Sequence, residues 1–377
     1  MKTIKFFALA ATMLCAAGAN AKIWRINYDD NAKADFKTLK EACEHVSVTE
    51  GDTLYCEAGN HNGTVAENTI SRTMTVFGPG YGFAPNYGNT STLAGATFTK
   101  TITIKADKVH LAGLCAYQIE LDAKTDGVTI ERCKVVGSFA NGAPIYVNYA
   151  CSNLTIKNNY IEQLCYSNNS NRNILRAIVC SSSTGEQKSI TITNNIIKGS
   201  VYFFSTSSTG ANISNVLIQN NTIVGAFGTS SSAIYTANSV IQDNIIINTS
   251  NVTYVMDFDK MTGNIIRKNV FSLSALNINS YISENHPDNY YVAATEDNTF
   301  TKTEKSYGFE EYYRLLDSSA AKNAAYDGSD CGAFGGTNPY VLCGRPQGVP
   351  YIYDVEVPAY PTNDKLNVSF KVTGQNE

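Results

Sequence analysis

The sequence predicts an all-β protein folded as a parallel β-helix, a solenoid in which every coil stacks on the one before. Three observations predict it. One short pattern recurs six times between Val128 and Phe271. Within each copy apolar and polar residues alternate, which is the period of a strand and not of a helix. Each copy also turns at the same slot, almost always on Asn.

The copies read Val128-Thr-Ile130-Glu-Arg-Cys133-Lys-Val135, Leu154-Thr-Ile156-Lys-Asn-Asn159-Tyr-Ile161 and Ile190-Thr-Ile192-Thr-Asn-Asn195-Ile-Ile197. Val216-Leu-Ile218-Gln-Asn-Asn221-Thr-Ile223 follows, with looser copies ending at Ile246 and Phe271. The slot held by Cys133, Asn159, Asn195, Asn221, Asn244 and Asn269 recurs at steps of 26, 36, 26, 23 and 25 residues. Steps of this size mark a solenoid; a propeller blade needs about 40 or more, and the leucine-rich consensus is missing. Asn suits the turn because it tolerates the left-handed region and its amide bonds to nearby backbone. Coils stacked about 4.8 Å apart would align these amides in an internal ladder. The longest step contains the Ser/Asn-rich span from Cys165 to Lys188, expected as a loop on one flank.

At the N-terminus, Lys2 and Lys5 precede an apolar run from Phe6 to Ala17 and then Ala19-Asn20-Ala21. This is the pattern of a Sec-type signal peptide over 1–21, leaving the mature chain to begin at Lys22. Cys15 would suit a lipoprotein signal, but Leu14 stands where a small residue is needed. No later stretch approaches the roughly 18 apolar residues of a membrane span. Residues 35–47 predict an amphipathic helix capped by Asp35, with Phe36, Leu39, Ala42, Cys43 and Val46 on its apolar side. It would close the open end of the solenoid. Second strands are expected at Ile145–Val147, Ala177–Val179, Val201–Phe203, Ile234–Tyr235 and Tyr254–Phe258. The β-helix domain spans 22–336 and ends in a closing segment, 309–336, with a short helical pattern at its start. A Pro-punctuated, strand-rich tail, 337–377, finishes with the alternating run Leu366 to Val372. It is expected to fold back on the solenoid or to pair with a strand of another chain.

The helix followed by Gly51-Asp52-Thr53-Leu54-Tyr55-Cys56-Glu57-Ala58-Gly59, and then by Thr73-Met-Thr-Val76-Phe-Gly-Pro-Gly80, resembles the entry of the pectate-lyase-like right-handed parallel β-helix superfamily. Asp330-Cys-Gly-Ala-Phe334 resembles the closing segment of many secreted members, although Ser319-Ala320 lacks their intervening Pro. The Tyr/Asn-rich exported style resembles proteins of Bacteroidetes-type bacteria. The resemblance implies a right-handed coil and contact with polysaccharide. It further implies two alternative chemistries: a lyase with carboxylate-bound calcium and a basic Arg or Lys, or a hydrolase with paired carboxylates. The adjacent aspartates and His-Gly of the polygalacturonase-like hydrolases are not on these coils. The Asp29-Asp30 pair precedes the cap helix, and there is no His-Gly.

With 29 Lys and Arg against 33 Asp and Glu, the net charge is −4, which argues against nucleic acid or anionic membrane as a partner. The mature chain keeps nine of ten cysteines, so at least one is unpaired within it. Cys43 with Cys56 and Cys331 with Cys343 are candidate disulfides; the alternative is that the thiols are small core residues. No Cys-x-x-Cys occurs and the four His are scattered, a poor basis for zinc.

Two sets of candidate site residues stand out. Asp257 and Asp259 share a strand face near Asp243, Arg267 and Lys268. In that set Asp243, Asp257 and Asp259 are the metal candidates, for calcium in a lyase, and Asp257, Asp259, Arg267 and Lys268 the catalytic ones. An ion-paired coil surface is the alternative. Tyr146, Tyr202, Tyr235 and Tyr254 would form a column facing sugar rings, or an internal stack. The expected role is polysaccharide binding at a surface or in the periplasm. The alternatives are a polysaccharide lyase or hydrolase acting on acidic glycans, and a structural or adhesive protein.

Overall fold

The computed structural model describes residues 21–81, 95–139, 142–164, 175–181, 185–204, 212–227, 232–249, 263–272, 287–302, 309–345, 351–356, 360, 365–366 and 368–373. They form a right-handed parallel β-helix with three faces. Sheet 1 stacks ten strands in order from Ile23–Ile26 to Ile265–Arg267. The other two faces are joined by two long paired strands, Ala96–Ile104 and Cys115–Leu121. The first residues of Cys115–Leu121 pair with Lys134–Gly137 on sheet 2; its last pair with Ile145–Val147 on sheet 3. Sheet 2 continues through Tyr160–Gln163, Ile196–Lys198, Thr222–Gly225, Ile245–Asn248 and Val270–Phe271 to Tyr290–Tyr291. Sheet 3 continues through Arg176–Ser181 and Ser200–Phe204 to Ile234–Tyr235. Between neighbouring sheet 1 strands from Thr53–Cys56 to Ser239–Gln242 the chain passes through the other faces, the parallel crossover that is right-handed in nearly all proteins.

Alternation explains the core. Leu54, Val76, Leu111, Ile130, Ile156, Ile192, Ile218, Ile241 and Ile266 pair in unbroken register down sheet 1, all buried. Burying each such side chain contributes about 1.5–3 kcal/mol before the entropy of ordering is subtracted. The expected ladder is present. The backbone N–H of Cys133, Asn159, Asn195, Asn221, Asn244 and Asn269 each donates to the Asn Oδ1 of the next coil at 2.9–3.0 Å. The ladder extends one rung further, to Asn289.

The turn itself falls one residue earlier than the ladder. Arg132, Asn158, Asn194, Asn220, Asp243 and Lys268 have φ between 51° and 59°, an external column beside the internal one. Across this column the closing segment runs backwards as a strap. Cys331 Sγ meets Lys268 O at 3.3 Å, and Tyr326 N donates to Asp243 Oδ1 at 2.7 Å. Asn194 Nδ2 donates to Ala333 O and Gly335 O, and Asn158 Nδ2 to Pro339 O. Arg132 Nη1 donates to Arg345 O, and Tyr81 N to Cys343 O. Beneath the strap a second core joins outward residues of sheet 2 (Tyr160, Ile196, Ile245, Val270) to Phe300, Tyr313, Ala321 and Tyr340. The segment therefore lies along the side of the solenoid and reaches Arg345.

Several expectations are corrected. The cap helix spans Leu39–Glu44, with Thr38 as N-cap accepting from Glu41 N at 3.1 Å. Asp35 instead accepts from Arg25 N, Phe36 pairs with Ile26, and Val46 is 89 % exposed. Of the helical pattern after 309, a 3-10 turn over Phe309–Tyr313 forms. The eight described cysteines are free thiols, so neither Cys43–Cys56 nor Cys331–Cys343 is bonded. Seven are buried and pack as small apolar groups. In the tail, Ser369–Thr373 pairs antiparallel with Tyr351–Glu356 as a hairpin.

Candidate functional site

Asp243, Arg267 and Lys268 do come together, on adjacent coils, with Asp243 N bonded to Arg267 O at 3.4 Å. Their side chains are used by the fold. Asp243 is buried; Oδ1 accepts from Tyr326 N at 2.7 Å and Oδ2 from Gln219 Nε2 at 2.9 Å. Arg267 donates to Gln242 Oε1 and stacks on the Tyr326 ring at 4.0 Å. Lys268 lies 5.4 Å from the centre of the Tyr290 ring. Burial, the largest influence, raises the Asp243 carboxyl above its usual range. A buried carboxyl with both oxygens engaged by strap and coil is a poor calcium ligand. Among the described residues no three His, Cys, Asp or Glu side chains are grouped to hold a metal ion. Asp257 and Asp259 lie outside the described residues, as does Tyr254.

Tyr146, Tyr202 and Tyr235 all point outward from sheet 3, between buried Ile145, Val147, Val201, Phe203 and Ile234. They are not one unbroken column, because Val179 takes the position between Tyr146 and Tyr202. Tyr202 and Tyr235 are stacked at 4.6 Å and 10°. The Arg176 guanidinium, from the preceding coil, sits 4.5 Å from the Tyr202 centroid. With both faces of Tyr202 covered, this ring offers a ligand its edge and hydroxyl. Sugar stacking needs a free face.

Sequence reasoning did not find a groove of about 600 Å³ between sheet 2 and the strap. Its floor follows from register. Glu162 and Lys198 are directly opposite on neighbouring strands and paired at 2.6 Å; Val224 follows Lys198 on the next strand. The Tyr160 hydroxyl donates to the other Glu162 oxygen at 2.8 Å, so this carboxylate is held from two sides. The opposite wall carries Glu296, Tyr312 and Tyr313. Tyr312 and Tyr313 meet edge to face at 5.0 Å, and Phe300 braces Tyr313. Burial first, then the Glu296 charge, pushes the Tyr312 phenol up. Fixed carboxylate acceptors, one lysine and braced aromatics suit a ligand rich in hydroxyl groups. The only advance signal was the outward alternation of Tyr160 and Glu162; their partners come from a distant part of the chain.

No family model matches the chain, and no curated protein does. Two crystal structures of the pectin methylesterase from Aspergillus niger, in deglycosylated and penultimately deglycosylated forms, align with it. They are 12 % and 11 % identical to it, with TM-scores of 0.35 and 0.34. The matches cover 83 % and 82 % of this chain and 97 % and 94 % of those chains. Similarity this low carries no chemistry across.

Proposed function

We propose that the chain is an exported glycan-binding protein that holds a stretch of carbohydrate in the groove between sheet 2 and the strap. Export is inferred from the signal-peptide pattern at 1–21. The observation that carries the binding reading is Glu162, fixed as an acceptor by Tyr160 and Lys198 and facing a wall of two tyrosines. Sugar hydroxyls donate well to such a carboxylate, and the Tyr312 ring on the opposite wall offers apolar area to a sugar ring. Binding is favoured over hydrolysis because Glu162 is ion-paired, whereas a general acid must hold a proton. Uncharged glycans are favoured over uronates: Lys198 is already matched by Glu162, and Glu296 adds a negative charge.

The test is affinity electrophoresis of the full mature chain in gels containing neutral or uronate polysaccharides. Retardation by a neutral glycan, lost on Tyr312→Ala, supports the reading. Retardation by uronates alone, or calcium-dependent release of unsaturated fragments, would replace it with the lyase alternative.

A further inference from the structure

We propose that a second pocket, between the cap helix and the outer face of sheet 3, binds a protonated primary amine. It is an open pocket of about 530 Å³, and no residue of the strap lines it. Glu120 and Thr103 form its floor. They are register partners on adjacent strands, and both point outward, since Ile102, Ile104, Ile119 and Leu121 fill the core between and beside them.

Two features of this floor point to a ligand. Thr103 is 4 % exposed, and its hydroxyl has no hydrogen-bond partner among the described residues. Glu120 is half-buried and makes no hydrogen bond or close ion pair among them; the opposite charge that acts on it is Lys105, which is itself bonded to Asp122. Buried polar groups are normally satisfied, and two unmatched neighbours in one pocket are unusual. The carboxylates and lysines around them are already matched: Lys105 with Asp122 at 3.1 Å, and Lys40 with Glu44 on the cap helix. Once ionised, Glu120 leaves the pocket one negative charge in excess. A single ammonium group restores neutrality, donating to Glu120, to Thr103 Oγ1 and to one further acceptor. Burial, and then the Asp122 charge, raises the Glu120 carboxyl; an ammonium would reverse that penalty.

An ammonium can belong to an amino sugar or to a simple alkylamine, and titration calorimetry of the full mature chain near neutral pH separates them. The ligands are glucosamine, ethanolamine, N-acetylglucosamine and glucose. Binding of glucosamine and ethanolamine, without the two uncharged sugars, is the expected result. Binding of glucosamine alone supports the site and assigns it to amino sugars. Glu120→Gln should weaken binding about 10-fold or more, the size of a lost charge-assisted bond. Thr103→Val keeps the shape of the floor, so a several-fold loss there, with an unchanged Tm, separates ligand contact from folding. Absence of heat with both amines, full amine binding by Glu120→Gln, or binding of N-acetylglucosamine that Glu120→Gln weakens as much as that of glucosamine overturns the proposal. An uncharged sugar held in the groove would instead keep its affinity in Glu120→Gln and lose it in Tyr312→Ala, which keeps the two sites distinguishable.

Discussion

Asn158 and Asn159 are consecutive in the chain and bond in opposite directions. Asn159 turns inward, donating from Nδ2 to Ile130 O at 2.9 Å and to Asn195 Oδ1 at 3.0 Å. Asn158, at φ 56°, turns outward and donates to Pro339 O of the strap at 2.9 Å. The pair repeats at Asn194-Asn195 and Asn220-Asn221, so one dipeptide joins coil to coil and coil to strap.

This division predicts two distinct mutant behaviours. Asn195→Ala would leave Ile156 O, Thr193 O and the Asn159 N–H without their side-chain partner in a dry interior. Each unmatched buried group costs about 1–3 kcal/mol, so a loss of several kcal/mol and a single lowered unfolding transition are expected. Asn194→Gly keeps the left-handed turn and removes only the bonds to Ala333 O and Gly335 O. It should leave the global transition nearly in place while amides of the strap exchange faster. Equal effects of the two changes would sink the distinction.

The strap's final contact is a close one. A Cβ on Gly344 would stand 2.2 Å from Arg132 O and 2.5 Å from the Tyr81 ring, at φ +61°. On Gly328, at φ +81°, it would meet nothing within 4 Å. Gly328→Ala should therefore cost only the backbone strain, about 1–2 kcal/mol. Gly344→Ala adds a backbone clash and should release the 340–345 end, seen as earlier proteolysis there. Matching protease sensitivity in both variants would show that the close approach is unimportant.

Much of this fold is legible in the order of residues, and the limits have physical causes. Strand periodicity and the Asn slot expose the coils, because each coil contacts only its neighbours and repeats their chemistry. Tyr146, Tyr202 and Tyr235 read as strand residues, but their facing depends on which neighbours reach the core. The strap is invisible to periodicity, since its partners are carbonyls, and Ala333 or Pro339 could present one anywhere. The groove escapes for a related reason: Glu162 and Tyr312 line one groove only because the strap runs back along sheet 2.

The groove yields its own prediction. Lys198→Met removes the partner of Glu162 and leaves the carboxylate to Tyr160 alone. Affinity for a neutral glycan should fall about 10-fold as Glu162 loses its fixed position. Glu296→Gln should instead raise the affinity for uronate chains by removing a like charge from the wall. Calorimetry with matched neutral and uronate oligosaccharides measures both. An unchanged uronate affinity in Glu296→Gln would remove the charge argument.

Glu310 sets the pH response of the strap. Its side chain is fully buried, with Oε1 accepting from Cys343 N at 3.0 Å and from the Tyr340 hydroxyl at 3.4 Å. Tyr340 in turn bonds to Tyr81, so one carboxyl ties the strap to the loop before sheet 2. Oε2 has no partner among the described residues, and burial is the main reason that the carboxyl is raised above its ordinary range. A folded-state value above the unfolded one means that the native state holds the proton more tightly. The stabilising contribution is then complete below the ordinary carboxylate pKa and is lost as pH rises through the raised folded value. Glu310→Gln mimics the protonated form at every pH. Urea unfolding of both proteins from acid to mildly alkaline pH should show their stabilities converging at the acid end. The variant should gain on the wild type as pH rises. A constant difference across that range would mean that Glu310 does not change its protonation on unfolding, and the strap's pH response would have to arise elsewhere.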